Sequence, residues 1–377
     1  MATFLHTADL HLGQGGGEAL PPELARIRER EIKASLTRIV DLALAREVDL
    51  LLVAGDLFTD RFASPSLLRF ANSEFARLGK RVLLSAGNHD PLFPQSPAQV
   101  FPWHKNIFFF PPDGFQQLVL AELDLAVTGL SWGRERPGEE QLLGLPQPVP
   151  DLFNIALLHG SAGDAASLAD DYFPLPTEKL VAAGYDYIAL GHYHRPNRWQ
   201  VGKTCFAYPG SPEPLGFGEP GQHGVWLGDT SQEFSLEFLP LSEREYQTMK
   251  WDLSGVTGEG ELLAKLTEAL AGKEQDLVRL TLTGTLPSGF SLDSRSIGES
   301  LQELVFFLQL ADETQEEVSL EDYPPGSLRR LFSQRILGEL EETPDPTHRK
   351  KLELALKYGL GALIEGKVEV GGVDFDY

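Results

Sequence analysis

Short apolar runs bounded by polar turns recur through the first 240 residues and read as buried strands. They cover Thr3–Ala8, Asp49–Ala54, Arg81–Ala86, residues 116–120, 124–130 and 153–158, and Tyr185–Leu190. Between the first two, residues 23–46 set Leu24, Ile27, Ile32, Leu36, Ile39, Leu42 and Leu44 at helical spacing among charges. A second helix places Pro65 in its first turn behind a Ser64 N-cap and runs to about Leu78. Three strands alternating with two helices predict a parallel βαβαβ unit with right-handed crossovers.

Residues 91–114, rich in proline and aromatic side chains, read as a long irregular insert, and 133–150 as a Pro/Gly-rich linker. A helix near 176–183 leads into the Tyr185 run. Residues 204–208, 223–228 and 233–239 read as strands of a second, more antiparallel sheet. Beyond about residue 240 the pattern changes: strands at 245–252 and 276–284 surround a helix at 259–271, and a helix near 296–304 enters the apolar run 304–310. From Pro324 to Gly366 two helical segments are separated by the breaker Thr343-Pro-Asp-Pro346, which predicts a hairpin. The expected division is 1–240, a small α/β domain at 241–323, and a helical segment at 324–377.

Five of the apolar runs end in side chains able to bind a metal: Asp9/His11, Asp56, Asn88/His89, His159, and His192/His194. In a parallel α/β sheet such strand ends lie on one edge, where ligands bind. Asp9 with His11, and His192 with His194, have the i,i+2 spacing that points both side chains to one face when extended. Carboxylate mixed with imidazole suits manganese, iron or catalytic zinc better than magnesium or a thiolate-bound structural zinc. Even seven of these donors exceed what one ion with open positions needs, whereas two ions sharing a carboxylate need about that many. Taken singly, Gly55-Asp56 and Gly87-Asn88-His89-Asp90 are also ordinary turn sequences, and a lone histidine such as His159 is also a hydrogen-bonded core residue. Their joint occurrence, each after an apolar run, is what scattered turns do not explain.

Composition narrows the chemistry. The chain has 377 residues and a formal net charge of −23, which argues against a surface that holds nucleic acid by a general excess of Lys and Arg. A polyanionic substrate would need a locally positive site, which bound divalent metals can supply. The single cysteine, Cys205, forms no internal disulfide, the start carries no basic-then-apolar leader, and no run is long enough to span a bilayer. A cytoplasmic protein is expected. The loop Leu12–Gly17 lacks both the P-loop ending and the dinucleotide glycine spacing, and His159-Gly-Ser-Ala-Gly163 lacks the full nucleophile-elbow pattern. Trp103, Phe108, Phe109 and Phe110 are assigned to loop packing rather than base stacking, and His6, His104, His223 and His348 receive no role.

Asp9-Leu-His11, Gly55-Asp56, Gly87-Asn-His-Asp90, His159-Gly160 and Gly191-His-Tyr-His194 together resemble the motif set of calcineurin-like metallophosphoesterases. His6–Gly13, Tyr208-Pro-Gly-Ser-Pro-Glu-Pro214 and Phe217-Gly-Glu219 resemble the SbcD-type DNA repair nucleases, and Ala355–Gly366 resembles their YhaO-like branch. The resemblance covers residues 1–240 and loosens afterwards. It implies an α/β fold, a two-sheet sandwich with helices on both outer faces, capped by a small α/β domain. It implies two manganese ions: one held by Asp9, His11, Asp56 and His194, the other by Asp56, Asn88, His159 and His192. His89 would serve as acid or transition-state donor, with Asp90 orienting its ring. The implied activity is hydrolysis of DNA, exonucleolytic and in some members endonucleolytic, by a hydroxide activated between two metals. A phosphodiesterase or phosphatase acting on nucleotides or small phosphoesters is the alternative, and a metal-stabilised scaffold the third.

The resemblance further implies a coiled-coil ATPase partner of the SbcC type; a homodimer is the other assembly it admits. Leu328, Leu331, Ile336 and Leu337, then Leu352, Leu354, Leu356 and Leu363, would cover a partner helix, or pack the hairpin onto its own domain.

Overall fold

Strand ends converge because two sheets of parallel strands run side by side. The structure is a computed structural model, and it describes all residues except 1, 16–19, 164–172, 257, 288–291, 318 and 366–377. The chain divides into two compact units, residues 1–246 and 247–377.

In the first unit the strands are β1 (Thr3–Thr7), β2 (Leu50–Ala54), β3 (Arg81–Ser85), β4 (Ile107–Phe109), β5 (Gln116–Leu120) and β6 (Leu125–Gly129). They continue as β7 (Phe153–His159), β8 (Ser161–Gly163), β9 (Pro174–Pro176), β10 (Tyr187–Gly191) and β11 (Asn197–Val201). Last come β12 (Thr204–Tyr208), β13 (Gly224–Asp229) and β14 (Ser235–Pro240). One sheet has the order β14-β13-β1-β2-β3-β4 and the other β11-β12-β10-β7-β6-β5. Strands β1 to β4 are mutually parallel, as are β6, β7, β10 and β12.

Strand β2 shows why the sandwich forms. All five of its residues are buried, since a parallel sheet is covered on both faces. Leu50, Leu52 and Ala54 join the core between the sheets with Phe4, Leu83, Leu157 and Tyr187. Leu51 and Val53 face outward into a second core. That core is closed by α1 (Pro22–Ala45), through Leu36, Ile39 and Val40, and by α2 (Pro65–Leu78), through Leu68 and Phe75. Each such side chain contributes about 1.5–3 kcal/mol by leaving water. The Ser64 hydroxyl caps α2 by accepting from the Leu67 amide, and Gly79 ends it in the left-handed conformation. The second sheet's outer face carries α4 (Thr177–Ala183), packed through Leu180 beside Tyr185, Ile188 and Phe206.

Two expectations are corrected. Residues 91–114 are not irregular throughout: they contain a single-turn helix α3 (Pro97–Val100), and β4 extends the first sheet by pairing in parallel with β3. Strands β13 and β14 do not form a second antiparallel sheet. They complete the first sheet, β13 antiparallel to β1 and β14 antiparallel to β13, whereas β12 pairs in parallel with β10 in the other.

In the second unit β15 (Tyr246–Asp252), β16 (Leu277–Thr283) and β18 (Phe307–Asp312) form one small sheet. The short β17 (Thr285–Leu286) and β19 (Gln315–Glu316) pair separately. Helices α5 (Glu259–Leu270) and α6 (Ser294–Leu301) bury Leu262, Leu266, Ile297 and Leu301 against Val278, Leu280 and Leu282. The hairpin α7 (Leu328–Glu342) and α8 (Pro346–Glu365) closes on its own core of Leu340, Leu352, Leu356 and Leu360, with Ile336 and Leu337 against it. Leu328 and Leu331 stay exposed. Among the described residues no helix is long and apolar enough to cross a membrane.

His6 marks the interior between the sheets. It is fully buried, its Nδ1 lies 2.7 Å from the Tyr187 hydroxyl, and burial lowers its pKa from 6.5 to about 3. The unfolded chain therefore binds a proton below 6.5 that the folded chain refuses until about 3. This contribution to stability is complete above 6.5 and is lost as pH falls, at up to about 1.4 kcal/mol per pH unit. Denaturant unfolding of wild type and His6→Asn between pH 7 and 4.5 should show a shallower loss in the variant, though the variant is weaker at pH 7.

Candidate metal centre

The site is assembled where β1, β2, β3, β7 and β10 stop. Registry sets Thr7 beside Val53, Ala54 beside Ser85, and Gly191 beside His159, so these ends finish at a common level. The chain then turns sharply. Asp9, His11, Asp56 and His192 all take positive φ, at 52°, 47°, 48° and 111°. Backbone bonds hold the turns together: the Asp9 amide donates to the Gly55 carbonyl and the His11 amide to the Asp56 carbonyl, each at 3.0 Å. Two glycines make room. A Cβ on Gly55, itself at φ +90°, would sit 2.1 Å from His159 Nδ1, and one on Gly87 would sit 2.2 Å from Asp56 Oδ1.

Asp56 is central. Its Oδ1 accepts from the His89 amide at 2.9 Å, while its Oδ2 lies 3.4 Å from His159 Nε2 and 3.8 Å from His11 Nε2. Asp9 accepts the His192 amide on both oxygens, at 3.1 and 3.0 Å. His159 Nδ1 donates to the Ala54 carbonyl at 2.8 Å, which leaves Nε2 facing Asn88 Oδ1 at 2.9 Å. His194 Nδ1 donates to Glu219 Oε1 at 2.7 Å, and its Nε2 meets His11 Nε2 at 3.2 Å. The His192 ring stands 5.4 Å from that of His159. The structure thus brings Asp9, His11, Asp56, Asn88, His159, His192 and His194 into one cluster.

The electrostatics fit a cation. Asp9, His11 and His194, the trio His11, Asp56 and His89, and the trio Asp9, Asp56 and His159 each hold possible donor atoms within 4.8 Å of one another. Burial drives the Asp9 pKa up to about 6, against the pull of His159 and His194. Burial also pushes Asp56 up, but His159, His11 and His89 outweigh it and hold Asp56 below the usual carboxylate range. Burial would keep His159 neutral, yet Asp56, Asp9 and the Ala54 carbonyl raise it to about 9. Burial lowers His11 to about 3, so its ring is neutral and its lone pair available. Two buried carboxylates that draw positive charge, with the His159 and His194 rings each oriented by a hydrogen bond at Nδ1, make a donor set that could hold a divalent metal.

His89 stands apart as the exposed member of the cluster, its ring 4.9 Å from that of His11. Asp90 does not orient it. The Asp90 carboxylate accepts the Gly87 amide at 2.8 Å and the Phe58 amide at 3.1 Å, while His89 Nδ1 lies 3.2 Å from the Thr59 carbonyl. Side chains of adjacent turn residues diverge, so the carbonyl of a neighbouring loop takes the orienting place.

Sequence reading assigned no role to Glu219, whose carboxylate fixes the tautomer of His194 from a turn-rich loop. The pointer was a lone acid among glycines and prolines in Phe217-Gly-Glu219. His223, also left without a role, is buried and holds that loop through the Ser211 and Glu219 carbonyls at 2.8 and 3.1 Å. Trp132 steadies His159 by donating Nε1–H to its carbonyl at 2.7 Å.

A family model described as calcineurin-like phosphoesterase matches residues 2–196. The chain belongs to the calcineurin-like phosphoesterase family. It is accordingly a metal-dependent phosphoesterase of a family that binds two divalent metals. It is 30% identical to the metallophosphoesterase YhaO of Bacillus subtilis over 86% of this chain and 84% of that one. It is 27% identical to the SbcD component of the SbcCD nuclease of Escherichia coli K12, over 68% of this chain and 73% of the relative. Identity to the DNA double-strand break repair protein Mre11 of Methanopyrus kandleri is also 27%, over 68% of this chain and 59% of the relative.

Because Glu219 holds His194 in one tautomer, Glu219→Gln should weaken binding of Mn2+, used as the probe ion, about 10–100-fold. Isothermal titration of metal-stripped protein reads this directly, and unchanged affinity would remove Glu219 from the metal centre.

Proposed function

We propose that this phosphoesterase is a manganese-dependent nuclease that hydrolyses DNA phosphodiesters in repair, by exonuclease action and also by endonuclease action. The observation that carries the chemistry is Asp56, whose Oδ2 lies 3.4 Å from His159 Nε2 and 3.8 Å from His11 Nε2. This supports a carboxylate shared by two ions. In this reading Asp9, His11, Asp56 and His194 hold one ion, and Asp56, Asn88, His159 and His192 hold the other. Two divalent cations there supply positive charge to a phosphoryl group and lower the pKa of water at the site. DNA as substrate is supported by the resemblance to the SbcD component of SbcCD and to Mre11.

The chain's own residues do the rest. His89 is the exposed member of the cluster, with Nδ1 on the Thr59 carbonyl, so Nε2 is the atom left to serve the departing 3′ oxygen. Asp90 acts through the backbone, fixing the Gly87 and Phe58 amides and with them the turn that carries Asn88 and His89.

Acting on nucleotides or small phosphoesters is the second reading, favoured by the net charge of −23. Labelled linear duplex and single-stranded DNA, assayed beside a chromogenic phosphodiester with Mn2+ and with chelator, separates the two. Activity on the chromogenic ester without DNA cleavage would rule out the nuclease. His89→Asn is expected to retain Mn2+ and lose about 10²–10⁴-fold in turnover, whereas Asp56→Ala loses the metal itself. Wild-type turnover by His89→Asn would remove that histidine from the chemistry.

A coiled-coil ATPase is the proposed partner, cytoplasm the proposed compartment, and the C-terminal hairpin the proposed contact. The hairpin uses Leu352 and Leu356 for its own core, but Leu328 and Leu331 on α7 remain 67% and 55% exposed. Replacing both with glutamate should abolish co-purification with the ATPase while leaving Mn2+-dependent hydrolysis intact. Undiminished co-purification would place the contact elsewhere.

A further inference from the structure

The stretch that supplies His192 and His194 continues into features the metal centre does not use. Tyr193, between the two histidines, is 42% exposed. Its ring meets Tyr208 edge to face at 5.0 Å. Tyr208 is buried and immobilised, its hydroxyl donating to the Gly160 carbonyl and accepting from the Ala162 amide, each at 2.8 Å. Behind it Trp199 stacks on both Tyr208 and Phe206, with interplanar angles of 25° and 11°. An aromatic row therefore runs from the core to the surface and ends in an exposed ring beside His194.

That ring lines a cavity of about 370 Å³ with His194, Arg195, Asn197, Tyr208 and Glu219. Arg195 is exposed but not free to wander: its Nε and one terminal nitrogen both donate to the Gly218 carbonyl, at 3.2 and 2.7 Å. Among the described residues no ion pair neutralises it, and a guanidinium has five N–H donors, so most remain for a ligand. Asn197 adds an amide able both to donate and to accept. An aromatic face, a fixed cation and an amide around a space of nucleotide size match the three parts of a nucleotide.

We propose that this cavity is a nucleotide subsite: a base of the substrate stacks on Tyr193, and an adjacent phosphate pairs with Arg195. The proposal rests on the reading that the substrate is a nucleic acid phosphodiester, and it names the residues that recognise the nucleoside part. It gives an acidic protein a local cation beside the metals, where a polyanion needs one.

The test compares kcat/KM for the p-nitrophenyl ester of thymidine 5′-monophosphate with that for bis(p-nitrophenyl) phosphate, which has no base, both with Mn2+. Wild type should prefer the nucleoside ester. In Tyr193→Ala that preference should fall about tenfold, the scale of one base–aromatic stack, chiefly through KM, and Tyr193→Phe should restore it. Arg195→Gln should lower kcat/KM on a thymidine dinucleotide several-fold and weaken its dependence on salt. A wild type without preference for the nucleoside ester, or a preference unchanged in Tyr193→Ala, overturns the subsite. Cleavage of linear DNA by the wild type is scored separately. If the preference falls as expected but DNA is not cut, the nuclease reading fails and the subsite stands; if DNA is cut and the preference does not move, the subsite alone fails.

Discussion

Two carboxylates, Asp9 and Asp56, are desolvated side by side at 0% and 1% exposure, and the rest of the site answers to that arrangement. Like charges taken out of water repel strongly unless positive charge is brought to them. Within the protein alone the balance is struck by protons: His159 is drawn toward the cationic form while Asp9 is driven toward the neutral one. A pair of divalent cations would meet the same demand without protons. The backbone is shaped to the purpose. Four residues of the cluster sit at positive φ, each at a cost of about 1–3 kcal/mol that the packed sandwich around them sustains.

Much of this was legible in the chain because the relevant pattern is local. Side chains that close a run of buried apolar residues stand where the strand stops, so the end of Leu50–Ala54 points to Asp56 and the end of Phe153–His159 to His159 itself. What required the structure depends on distant pairing. Gly224–Asp229 has a strand's composition, yet nothing near it in sequence tells that it borders β1, more than 200 residues away. Ile107–Phe109 is too short to show a period and is flanked by prolines. The resemblance implied that Asp90 orients the His89 ring, but its carboxylate holds the Gly87 amide while the ring meets the Thr59 carbonyl. Glu219 finds its partner 25 residues upstream, and nothing in its own neighbourhood records the pairing.

The loop that carries Glu219 is itself held by a buried ion network. Arg28 of α1, with no exposure, pairs with Glu31 at 2.6 Å and with Glu213 at 3.0 Å, and donates to the Pro214 carbonyl. Glu213 also accepts from Arg38 and from the Glu243 amide, while Arg244 pairs with Glu31 at 2.8 Å. Charges at this depth are costly singly and tolerated when paired. The network therefore commits α1, the 211–219 loop and the 243–244 segment to one arrangement. From that loop Glu219 sets the tautomer of His194, so the first helix and the metal centre are linked through contiguous bonds.

The net charge of −23 looks at first like an obstacle to any polyanionic substrate. At physiological salt, however, exposed charges act over only about 8 Å. What a phosphate meets at the site is set by the groups within that radius, not by the sum over 377 residues. There the protein places a donor set able to hold a divalent cation and, on the residue following His194, a guanidinium pinned by the Gly218 carbonyl. On the proposed nuclease reading the acidic remainder works for selectivity: it would offer little nonspecific attraction to a phosphate backbone elsewhere on the surface, and so leave binding to the strand ends of the sandwich.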